Sequence, residues 1–169
     1  VTTYMMPPLG LKDIRDYASR FRKIFKCTDD GYINIVKIFE SLQDLGVNIE
    51  IVSKETLGVK HGETFPVQQK IQIREDVYDR ACDGYGRDRL TIAHEIGHLL
   101  LHGPKKISLA RLASGASIPT YCDPEWQANA FAGELLAPFR FIQGLSVDEV
   151  QNKYGISAQA AQVQLRRRH

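Results

Sequence analysis

Apolar residues recur at three- and four-residue steps near the start of the chain: Leu11, Ile14, Ala18, Phe21 and Phe25. That spacing lines one face of a helix from Leu9 to about Phe25. Asp30-Gly31 predicts a turn, and Ile35, Ile38, Phe39 and Leu42 predict a second helix, ended by Gly46. Glycine suits that end because it adopts the left-handed backbone of a helix C-cap at no steric cost. The period then changes to two. Val47-Asn48-Ile49-Glu50-Ile51 and Ile71-Gln72-Ile73 alternate apolar and polar positions with β-branched residues, which predicts short strands. Residues 47 to 75 are read as a small antiparallel sheet.

Asp83-Gly84-Tyr85-Gly86 predicts a loop before a helix from about Asp88 to His102, which Gly103-Pro104 stops. Residues 104 to 121 show no clear period and are expected to form a surface loop. Asp123-Pro124 predicts an N-cap with proline at the first helical position, opening a helix that lasts to Ala137. Near the end, Ser146-x-x-Glu149 is a capping-box pattern, and Gly155 and Ser157 divide two short helices. The expected fold class is α+β: N-terminal helices, a small sheet, a helix pair, and a helical tail. The expected division is residues 1–143 as the main domain and 144–169 as a tail packed on or beside it.

Composition narrows the function classes. The net charge is +2, from 22 basic and 20 acidic residues, so direct nucleic-acid binding has little electrostatic support. The run Arg166 to Arg168 is expected to be a solvated tail. Cys27, Cys82 and Cys122 are an odd, scattered set, unlike a disulfide framework or a thiolate metal cluster. No secretory leader and no apolar window of bilayer length is legible. The expectation is a cytosolic protein.

The chemistry lies in His94-Glu95-Ile96-Gly97-His98. Residues four apart share one helix face, so both imidazoles can reach one metal. Glu95 flanks that face, where it can accept a proton from a water that the metal activates. Ile92, Ile96, Leu99 and Leu100 mark the opposite, core side, and Gly97 admits a close neighbour. Two histidines leave a catalytic zinc one protein ligand short. His102 continues the same face, but three ligands on consecutive turns span about 12 Å and cannot converge on one ion. Glu125, in the first turn of the later helix, is the better third ligand. Small residues follow it at Ala128, Ala132 and Gly133, and Asn129 one turn below could steady its carboxylate by a hydrogen bond. The expected metal is zinc, with manganese or another divalent ion possible.

The block Arg89-Leu90-Thr91-Ile92-Ala93-His94-Glu95-Ile96-Gly97-His98 together with Glu125-Trp126-Gln127-Ala128-Asn129-Ala130-Phe131-Ala132 resembles the ImmA/IrrE metallopeptidase family. The resemblance covers roughly residues 45 to 140. It implies a thermolysin-like zinc site, with His94, His98 and Glu125 as ligands and Glu95 as catalytic base. It also implies site-specific cleavage of a helix-turn-helix repressor, the protein partner expected here. The tail, too, fits the short helical segment seen in many members. The rival expectation is an antirepressor that binds such a partner without cutting it. For stabilising an oxyanion beside the metal, His102, Tyr121, Tyr78 and Arg140 all remain candidates.

Overall fold

Ile14, Ala18 and Phe21 line the buried stripe of α1 (Leu11–Ile24), as their spacing requires. The structure is a computed structural model that describes residues 4–27, 31–103 and 117–167. Asp30, most of the 104–121 loop and Arg168 therefore lie outside the described residues. Helix α2 (Ile35–Ser41) follows, and a short 3-10 turn closes on Gly46 with φ 87°. Strand β1 (Asn48–Val52) leads through a single helical turn, α3 (Lys54–Leu57), to β2 (Gly62–Phe65) and β3 (Lys70–Arg74).

The small sheet is present where alternation predicted it, but its direction is mixed. Strand order is β1-β3-β2, with β2 antiparallel to β3 and β1 parallel to β3. The wholly antiparallel sheet expected from the sequence is corrected on this point. The chain reverses once through α3 and again at the 66–69 turn, so β3 returns in the direction of β1 and pairs between the other two. Ile71 and Ile73 of this central strand are fully buried. Strand β2 lies at the sheet edge, with one side unpaired.

The chain enters α4 (Glu75–Cys82) directly from β3. The sequence reading missed this helix, although Val77 and Ala81 bury one face of it. Helix α5 (Gly86–Leu101) starts two residues earlier than expected. Helix α6 (Pro124–Leu136) has the predicted cap, with the Asp123 side chain accepting from the Glu125 backbone N–H. A turn of helix, α7 (Phe139–Ile142), precedes α8 (Val147–Tyr154) and α9 (Ala158–Arg166). The Ser146–Glu149 capping box forms in both directions, and Gly155 is left-handed at φ 63°.

One core joins these pieces: Ile92, Ile96, Phe131, Leu135, Val150, Tyr154 and Ala161 are all fully buried in it. Arg89 of α5 reaches into this interior and donates to the carbonyls of Ile33, Tyr154 and Gly155 at 3.0–3.2 Å. The α8–α9 segment is thereby tied to the helix that carries the two motif histidines. Among the described residues no helix is long and apolar enough to cross a membrane.

Candidate metal centre

Helix α5 turns Ile92 and Ile96 inward and leaves His94 and His98 partly open on the other side. Helix α6 packs directly against it. A Cβ on Gly97 would lie 3.2 Å from the Ala128 backbone and 3.1 Å from the Phe131 ring. Even a methyl group at that position would press on the Ala128 backbone and the Phe131 ring. The close approach carries Glu125 to the histidines: its carboxylate oxygens lie 3.3 Å from His94 Nε2 and 3.2 Å from His98 Nε2. The two Nε2 atoms are 2.9 Å from each other.

The donor set fits a divalent cation. Ligand atoms about 2.0–2.1 Å from a tetrahedral zinc lie about 3.3 Å from one another, close to the three separations found here. His94, His98 and Glu125 could thus hold a metal ion. His102 stands outside this set. It is buried, and its two nitrogens contact His98 Nδ1 and Gln127 Oε1, each at 2.9 Å. Asn129 differs from expectation: its Oδ1 lies 2.9 Å from His94 Nδ1, so it steadies a histidine rather than Glu125.

Glu95 is buried beneath this group and belongs to neither set. The Thr64 hydroxyl of β2 lies 2.5 Å from its Oε2. Gly62, two residues earlier on the same strand face, leaves the room Glu95 occupies, because a Cβ there would come within 2.9 Å of its Cγ. Thr64 and Gly62 went unnoticed in the sequence, as did Gln127. Two of the four oxyanion candidates are engaged elsewhere. The Tyr78 hydroxyl bonds Glu40, and the Arg140 guanidinium lies over the Phe141 ring, on the far cleft between α1 and α7. The cleft beside His94 and Glu95 encloses about 880 Å³, and His61, Lys60, Arg87 and Arg167 are among its walls.

The electrostatics follow from these contacts. Hydrogen bonds from His94 and His98 hold the Glu125 carboxyl well below the usual carboxylate range. Burial pulls His94 down, but Glu125, Glu95 and Asn129 together outweigh it and raise its pKa. Glu95 is raised chiefly by burial, against the opposing Thr64 hydrogen bond and the nearby imidazoles. Burial pushes His102 down to about 4 in spite of its bond to Gln127.

The profile of a peptidase family described as the IrrE N-terminal-like domain matches residues 47–166, which include both motif blocks and the tail. The chain belongs to the IrrE N-terminal-like family. Helices α1 and α2 precede the matched region, and α5, α6, α8 and α9 fall within it. Among solved structures, a Mycobacterium tuberculosis transcriptional regulator is similar, with a TM-score of 0.57 and 15% identity. The match covers 88% of this chain but 45% of that one, so this IrrE-type chain spans less than half of its neighbour's length. At that identity the likeness concerns the fold alone. No curated protein matches the chain.

Proposed function

We propose that this IrrE-type chain is a zinc-dependent endopeptidase that cuts a helix-turn-helix repressor at one position. The observation that carries the reading is Glu95. It is a buried carboxyl raised above its ordinary range, it sits beside the three-residue metal set, and it belongs to neither the ligands nor an ion pair. A purely structural metal site needs no such group. Bound at His94, His98 and Glu125, zinc supplies Lewis acidity, bringing the pKa of water to about 7 and polarising a carbonyl.

The remaining work falls to the chain's own residues. Glu95 accepts the proton of the attacking water and returns it to the leaving amine. Thr64 holds the carboxylate in place through its hydroxyl, and Asn129 and His102 steady the two imidazoles. The open edge of β2, which carries Gly62 and Thr64, offers unpaired backbone groups along which an extended substrate segment can lie. The repressor as substrate rests on the family resemblance of the two motif blocks.

Co-expression with a helix-turn-helix repressor encoded beside this chain, followed by intact-mass analysis, tests the reading. One discrete pair of fragments is expected with wild type. Glu95→Gln keeps the shape but removes the proton acceptor, so cleavage should fall by about 10²- to 10⁴-fold. An uncut repressor that loses its DNA equally to both forms assigns the chain to the antirepressors instead.

A further inference from the structure

Gln127 is completely buried on α6, one helical face away from the donor set. Its side-chain nitrogen donates to two backbone carbonyls, Pro7 O at 3.0 Å and Tyr121 O at 2.8 Å. Carbonyls only accept, so both amide protons are committed and the amide cannot be turned over. Its oxygen therefore faces His102, where it accepts from Nε2 at 2.9 Å. His102 is 4% exposed and has no carboxylate on either nitrogen. A His98 that binds a metal through Nε2 carries its one proton on Nδ1 and needs an acceptor there. With the His102 proton on Nε2, toward Gln127, its bare Nδ1 is that acceptor. Across a 2.9 Å gap, His98 Nδ1 must then be the donor. With a metal in place, the lone pair of His98 Nε2 is then free for the ion, in place of the hydrogen bond to Glu125 at 3.2 Å.

We infer that Gln127, acting through His102, is a positioning residue that fixes the tautomer and ring orientation of His98 for metal binding. The inference rests on the metal-centre reading above. The relay is anchored outside both helices of the site. The segment before α1 is fastened to the turn before α6 by Met6 N–H to Cys122 O at 3.0 Å and Leu9 N–H to Tyr121 O at 2.9 Å. Gln127 clamps the same two strands of chain from below. Hydrogen-bond direction thus passes from the Pro7 and Tyr121 carbonyls through two side chains to one ligand atom. Partners of this kind commonly change metal affinity by about 10- to 100-fold when they are removed.

Two measurements on the full chain test this. First, zinc affinity is measured by competition with a chromophoric chelator in wild type, Gln127→Met, His102→Ala and the double variant. Gln127→Met should bind zinc about 10- to 100-fold more weakly, and should add little in the His102→Ala background. A simple packing defect would cost the same in both backgrounds, and that additivity overturns the inference. Second, long-range ¹H–¹⁵N spectra of the zinc-loaded wild type report the ring tautomers directly. The proton of His98 is expected on Nδ1 and that of His102 on Nε2. A His102 carrying its proton on Nδ1, or on both nitrogens, overturns the relay, whether or not the Gln127 variant folds. Failure of wild type to bind zinc at all overturns the metal-centre reading and the relay with it, whereas zinc binding with additive variants overturns the relay alone.

Discussion

Glu95 and Thr64 are 31 residues apart in the chain, yet the hydroxyl lies 2.5 Å from the carboxylate. Burial raises the carboxyl and this hydrogen bond lowers it, so the two effects oppose each other at one group. Removing the hydroxyl leaves only the nearby imidazoles to oppose burial and raises the pKa further. If Glu95 is the general base proposed above, it works only when deprotonated, so the acid limb of kcat/KM should move to higher pH in Thr64→Val, with zinc content unchanged. A limb that stays in place, or moves to lower pH, removes Thr64 from control of the base. Residues that act through helix spacing were legible in the sequence: His94, Glu95 and His98 need only a 3.6-residue repeat to be placed. Gly62, Thr64 and Gln127 were not. Their roles come from elements that meet only in the folded chain, and each looks locally like an ordinary strand or helix residue.

The element that makes a site from two half-sites is the α5–α6 pair. Glu125 would be an ordinary first-turn acid if its helix did not approach α5 at Gly97. The small residues Ala128 and Gly97 were a readable sign of that contact, whereas Gly133 faces Gln164 and Arg167 at the end of α9, and the caps of α6 and α8 were readable from Asp123-Pro124 and Ser146-x-x-Glu149. Strand direction was not, because alternation fixes which face of β3 is buried and says nothing of its partners' sense. Gly97→Ala puts a methyl group 3.2 Å from the Ala128 backbone, which cannot rotate aside. We expect overpacking of about 1–3 kcal/mol in urea unfolding, and weaker zinc binding as Glu125 is displaced from the histidines. Unchanged affinity alongside reduced stability would mean that the helix spacing does not set the metal geometry.

Across the whole molecule, the candidate metal centre depends on parts far from it in sequence. The segment before α1 holds the Gln127 relay. The sheet edge holds Glu95, and Arg89 binds α5 to α8 through backbone carbonyls. Glu134, on α6 below the donor set, joins Arg15 of α1 to Gln164 of α9 at 3.2 and 2.7 Å. The family profile covers the α8–α9 segment as well as the motif helices, in keeping with this shared core. All of these supports converge on one claim, that two helices offer a cation two imidazoles and one carboxylate. X-ray absorption fine structure of the zinc-loaded wild-type chain tests it most directly. The account predicts nitrogen and oxygen neighbours at about 2.0–2.1 Å with the scattering of two imidazoles. A third imidazole, or a sulfur shell at about 2.3 Å, would contradict it.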